Sequence, residues 1–165
     1  LTNSKNPVLS VNGNVAPLCG DIIPSLQERF GLKVEANLFY KTPDRMKRVV
    51  AHLESRGVRN VLGIHGDFTI PGLDHARAYC TKEGIGTADT VLVPLEDGDR
   101  ARALVEMGKS VITVDLNPLS RTACTSNVCI VDDVVRVFEN LVKIGPQKEM
   151  EPSWQGNQKN LEAML

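Results

Sequence analysis

The segment Asp115-Leu116-Asn117-Pro118-Leu119-Ser120-Arg121-Thr122 concentrates chemistry within eight residues. A carboxylate at the end of an apolar run (Ser110 to Val114) needs a partner, because an unpaired charge there is costly. A ribose hydroxyl or a protein donor would serve. Ser120, Arg121 and Thr122 form a compact donor set suited to phosphate oxygens. A purely structural loop is the alternative. A second cluster, Glu96-Asp97-Gly98-Asp99-Arg100, places three carboxylates and a guanidinium on one turn. Asp97 or Asp99 can cap the following helix, while a neighbour binds a ligand or magnesium-bound water and Arg100 stabilises developing charge. A third, Asn12-Gly13-Asn14, can turn backbone N–H groups toward an anion, although Asn and Gly are also ordinary turn residues.

Several chemistries have no matching pattern. The dinucleotide fingerprint GxGxxG is absent, so Glu35, which falls where an acid would hold a nicotinamide ribose, is a weak pointer to a dehydrogenase. Neither a Walker A sequence nor a GxSxG elbow occurs. His52, His65 and His75 share no metal-ligand spacing, but His65 follows an apolar run and can reach a ligand. Cys19, Cys80, Cys124 and Cys129 are scattered without a CxxC pair, and read as reduced, packed thiols. No metal site is expected.

The elements that must position these residues alternate along the chain. Strands are expected at Pro7–Val11, Lys33–Phe39, Asn60–Ile64, Thr90–Val93, Ser110–Val114 and Val128–Val131. Helical patterns fill the stretch toward Phe30, irregular at Pro17 and Pro24, and the stretches from Thr42 to Gly57, about 98–107 and 133–143. Thr42-Pro43-Asp44 supplies an N-cap, a first-position proline and a first-turn acid. Strands apolar on successive positions between amphipathic helices predict an α/β, Rossmann-like, doubly wound, mainly parallel sheet of about six strands with helices on both faces. Ligands of such sheets sit beyond the carboxyl ends of the strands, where the segments here are polar. Two long connections, residues 65–88 and 116–127, read as functional loops, the first with a short helix near Leu73 to Arg77. Residues 1–145 form one domain, and 146–165 a polar tail or intersubunit arm ending on Leu161, Met164 and Leu165.

The 165 residues suffice for one compact domain, and 42% hydrophobic with 24% charged residues is an ordinary globular balance. A net charge of −1 gives no general attraction to nucleic acid or anionic membrane. With no apolar run of about 20 residues and no signal-peptide character at the start, the expected location is cytoplasmic.

The blocks Pro7 to Asn14, Asn37 to Thr42, Ile70-Pro71-Gly72-Leu73, Ala88 to Arg100 and Asp115 to Thr122 resemble, in order, those of the archaeal phosphopantothenate synthetases (4-phosphopantoate–β-alanine ligases). The resemblance spans about residues 7–144. It implies a homodimer that joins 4-phosphopantoate to β-alanine, with ATP and Mg2+ as cofactors and ATP cleaved to AMP and pyrophosphate. It also implies ATP contacts at Asp115, Leu116, Asn117, Arg121, Thr122, Asp133 and Val134. The family carries Asn where this chain has Asp133, and a helical amino-terminal segment with arginines approaching ATP, after which this chain opens. Position in the fold adds Asn12, Gly13, Asn14, Asn37, His65 and Asp97 as candidates for the acid substrate, and Arg100 as the catalytic cation. A nucleotide-binding module without turnover is the rival from another class.

Overall fold

A computed structural model of the chain describes residues 1–95, 98–147 and 156–164. Five parallel strands form its sheet: β1 (Pro7–Val11), β2 (Lys33–Ala36), β5 (Thr90–Pro94), β6 (Ser110–Val114) and β7 (Val128–Ile130). Their order is β2-β1-β5-β6-β7. The chain winds from β1 outward to β2, then returns to lay β5 on the other side of β1. This reversal leaves a crevice at the carboxyl ends of β1 and β5, where doubly wound sheets bind ligands.

Period-two alternation sends the strand side chains to two cores. Leu9, Val11, Leu92 and Val114 meet helices α1 (Val15–Cys19), α2 (Ile23–Phe30) and α6 (Val134–Ile144), with Val137 and Phe138 of α6 buried at i, i+3 and i+4 from Val134. On the other face, Val8, Val91, Val93 and Val111 pack against Ala101 and Leu104 of α4 (Gly98–Glu106), with Ile70, Cys80 and Ile85. Helix α3 (Pro43–Ser55) opens as its cap residues predict, Thr42 accepting from the Arg45 N–H, and buries Met46 and Val50 against Ala36 and Leu38.

The expected third strand is reduced to a single bridge. Leu62 pairs with Glu35, donating to the Val34 carbonyl at 2.8 Å and accepting from the Ala36 N–H at 2.9 Å. On either side the backbone leaves the extended region, at Asn60 (φ 53°) and Gly63 (φ 111°). A Cβ at Gly63 would lie 2.1 Å from the Ala36 carbonyl oxygen, so that close approach requires glycine. β2 also stops at Ala36, short of the expected Phe39.

The first long connection holds an antiparallel pair, β3 (Phe68–Thr69) and β4 (Tyr79–Cys80), a 3-10 turn at Ala76–Ala78 in place of the helix expected near Leu73 to Arg77, and a π-type turn at Lys82–Gly86. The second holds α5 (Arg121–Thr125), capped by Ser120. In the tail, α7 (Asn157–Glu162) lies on the chain's own α5 and β7: Leu161 is buried with Ala123 and Cys129, and Asn157 bonds Cys129, Ala123 and Ser126. Met164 is exposed, while Leu165 lies outside the described residues. No helix among the described residues is long and apolar enough to cross a membrane.

Candidate functional site

Asn12 ties the crevice together. Its Nδ2 donates to the Leu95 carbonyl at 2.8 Å and the Pro94 carbonyl at 3.4 Å, while its Oδ1 accepts from the N–H groups of Asn14 and Val15. These four contacts use the full capacity of the amide, so Asn12 joins the β1 and β5 ends and orders the first turn of α1. Asn14 is exposed beside it. Gly13 lies beneath a guanidinium: a Cβ there would be 2.8 Å from Arg45 Nη2.

Under this rim runs a buried polar layer. Arg100 is fully buried and donates to Ser10 Oγ at 2.8 Å. Glu35 is likewise fully buried, its two carboxylate oxygens accepting from the Thr81 and Ile85 N–H groups at 2.8 Å each. Burial pushes the Glu35 carboxyl up, against the opposing pull of those hydrogen bonds and of the Arg100 and Lys41 charges. A carboxylate so engaged cannot reach a nicotinamide ribose, and the dehydrogenase reading loses its one acid. At the end of β2, Asn37 is fully buried, donating to the Arg77 and Tyr79 carbonyls at 3.3 Å each, and its Oδ1 has no hydrogen-bond partner.

The β6 loop is organised by its own side chains. Asp115 accepts from the Asn117 N–H at 2.9 Å and from the Ser120 hydroxyl at 2.5 Å, and Asn117 Oδ1 accepts from the Leu119 N–H at 3.0 Å. Ser120 in turn caps α5 through the Ala123 N–H. Asp115 thus finds a protein donor for each oxygen, and the loop is built without a ligand. Leu116 stands 67% exposed at its tip. Arg121 reaches back to the first turn of α4 and pairs with Asp99 at 3.2 Å, the arginine largely exposed and the aspartate about half-exposed. Thr122 is buried in the first turn of α5. Asp133 caps α6 by accepting from the Val135 and Arg136 N–H groups, and Val134 is buried in the core, which leaves it no exposed side chain for ATP. Asp97 lies outside the described residues.

His65 is exposed beyond β2, where it lines a cleft of about 550 Å³ with Lys41, Pro43, Met46, Lys47, Ile64, Gly66 and Tyr79. Lys41 donates to the Tyr79 carbonyl at 3.1 Å, and its burial lowers the ammonium pKa. The segments that follow the parallel strands thus carry Asn12, Gly13 and Asn14 after β1, Asn37 after β2, Asp115, Leu116, Asn117 and Arg121 after β6 and Asp133 after β7, with Arg100 buried in α4 and His65 in the connection after the Leu62 bridge. Lys41, Arg45 and Lys47 are additional cations that the loop-by-loop sequence reading passed over. Their signal was present: basic residues at the mouth of the Thr42-capped helix, directly after a strand.

A model of the phosphopantothenate/pantothenate synthetase family matches residues 1–162. The chain belongs to that family. A Methanosarcina mazei protein named 4-phosphopantoate–β-alanine ligase is 47% identical over 148 residues, covering 90% of this chain and 58% of the relative. A Thermococcus onnurineus protein of the same name is 47% identical over 142 residues, covering 86% of this chain and 54% of the relative. The chain thus spans little more than half the length of these relatives. Among solved structures, a Mycobacterium smegmatis protein described as a thiamin diphosphate-dependent enzyme superposes with a TM-score of 0.53 at 17% identity, covering 92% of this chain and 27% of that one. This likeness concerns the fold alone.

Proposed function

We propose that the chain is an ATP-dependent, AMP-forming ligase that joins 4-phosphopantoate to β-alanine, giving 4'-phosphopantothenate through an acyl-adenylate. The observation that carries this reading is 47% identity over 148 residues to a relative named for that ligation. The chemistry supplies the rest. A carboxylate is a poor acyl donor because its oxygen leaves badly, so one of its oxygens attacks the α-phosphorus of ATP and pyrophosphate departs. The β-alanine amine, once deprotonated, attacks the acyl carbon, and AMP leaves with the original carboxylate oxygen.

Neither step needs a protein nucleophile. Burial pushes the Cys19 thiol up to about 11 and Cys80 up to about 12, keeping both protonated at neutral pH. Catalysis then rests on positioning and charge stabilisation. Arg121 suits the ATP phosphates because an exposed ion pair such as Arg121–Asp99 is worth at most about 1 kcal/mol and is readily exchanged for a polyanion. The self-bonded loop from Asp115 to Ser120 offers Leu116 and Asn117 as a rigid rim for the nucleoside. Arg100, in a low-dielectric floor, stabilises negative charge above it. Magnesium enters with the ATP phosphates: Asp99 and Asp115 are already engaged by arginines and by Ser120, and the described residues contain no cluster of three metal-ligating side chains. A cytoplasmic homodimer accords with this reading. Chromatography of reactions containing ATP and each substrate separately or together tests it. AMP should accumulate only with both; ATP binding without turnover under any combination would overturn the reading.

A further inference from the structure

The cleft at the outer end of β2 differs in charge from its neighbours. Lys41, Lys47 and His65 line it, and among the described residues no carboxylate does. The cleft beside α4, in contrast, is lined by Asp74, Asp99 and Glu106 together with Arg102. Met46, Ile64 and Tyr79 add apolar surface to the same lining. Lys41 is held in place by the Tyr79 carbonyl, which takes one ammonium hydrogen and leaves two for a ligand. All of these residues lie on the carboxyl side of the sheet, in the segments after β2 and after the Leu62 bridge.

Resting on the ligase reading, we infer that this cleft holds the phosphomonoester end of the acid substrate, with Lys41 and Lys47 on the phosphate and the apolar surface against its branched carbon chain. A phosphomonoester carries close to two negative charges at neutral pH, which calls for more than one cation. Of the other two substrates, β-alanine carries a single carboxylate and an ammonium that two lysines would repel, and it has no branch to cover an apolar surface. The triphosphate of ATP has its own cation in Arg121, across the sheet at the start of α5. The separation gives each anion a different basic site, so the acid is anchored by its phosphate while its carboxylate stays free to react.

The test uses the full-length protein and two readouts, calorimetric binding of 4-phosphopantoate or pantoate and steady-state kinetics. Lys47 is exposed, so Lys47→Gln should fold normally; Lys41→Gln is paired with Lys41→Arg as a charge-preserving control. Loss of one charge-assisted contact should weaken 4-phosphopantoate binding about tenfold or more in each Gln variant. Pantoate, which lacks the phosphate, should bind wild type and variants alike, the KM values for ATP and β-alanine should stay unchanged, and Lys41→Arg should restore most of the affinity. Normal turnover with unaltered 4-phosphopantoate affinity, or a loss that falls on ATP or β-alanine, would overturn the subsite and leave the ligase reading intact. Lysine-dependent binding of 4-phosphopantoate without any AMP formation would do the reverse. Absence of both binding and turnover in the wild type would sink the two together.

Discussion

Asp133 shows at the level of one side chain how little a helix cap asks of its residue. Its Oδ1 accepts from the Val135 and Arg136 N–H groups, a task that needs only an acceptor and that Asn performs equally well. Asp133→Asn should therefore leave the urea midpoint essentially unchanged, whereas Asp133→Ala should cost about 1 kcal/mol of stability. Arg121 makes the opposite case. Its exposed pairing with Asp99 contributes little to the fold, so Arg121→Ala should keep wild-type stability while weakening ATP binding by about 1–3 kcal/mol, read by calorimetry. Unchanged ATP affinity in the folded variant would remove Arg121 from the site. The sequence made the donor density of the Asp115 to Thr122 segment plain. It could not reveal that Asp115 and Asn117 spend their oxygens on neighbouring backbone and Ser120, or that Thr122 and Val134 turn inward, because those outcomes depend on where α5 and α6 dock.

Among the elements, Glu35 latches the long connection of residues 65–88 to β2. Its carboxylate fixes Thr81 and Ile85, and a Cβ on Gly84 would lie 2.1 Å from Oε2, so the turn closes over the acid only because glycine is there. Glu35→Gln would turn one acceptor into a donor facing an N–H and remove a negative charge that attracts the nearby Arg100 and Lys41. It should lower stability at pH 7 by about 1–3 kcal/mol in urea titrations. The pH dependence has a defined sign. With its carboxyl raised above the ordinary 4.5, the folded state holds this proton more tightly than the unfolded chain, so Glu35's contribution to stability falls as pH rises from about 4.5. Wild type should show this decline and Glu35→Gln should lack it. Sequence alone offered Glu35 only as a weak candidate for holding a nicotinamide ribose, because a four-residue strand has no periodicity to separate an inward carboxylate from an outward one. The third strand is a second case: Asn60 to Ile64 is apolar enough to be a strand, but Gly63 takes a positive φ where its backbone approaches the Ala36 carbonyl, and Asn60 takes one as well. Apolar runs bounded by turns, as in β1, β5 and β6, were legible, and so was the Thr42 boundary, whereas the Ser120 cap and the short α5 it opens lay hidden in what reads as a loop.

For the molecule as a whole, the carboxyl side of the sheet carries the proposed nucleotide rim after β6 and β7, the crevice tied by Asn12 at β1 and β5, and the basic cleft beyond β2. Large apolar side chains, including Phe39, Tyr40, Leu116 and Leu119, stay exposed on it, as a surface that a partner subunit covers would require. Light scattering at micromolar concentration should give twice the 18.0 kDa of one chain, with about 1,200–2,000 Å² buried in the two-fold interface. A mass that stays at one chain on concentration would contradict the dimer. The central claim, carboxylate activation by adenylation, is tested most directly by the fate of the carboxylate oxygen. With 4-phosphopantoate labelled by oxygen-18 in its carboxyl group, mass spectrometry of the products should find one labelled oxygen in the phosphate of AMP and none in pyrophosphate. Unlabelled AMP, or ADP with labelled inorganic phosphate, would contradict the account.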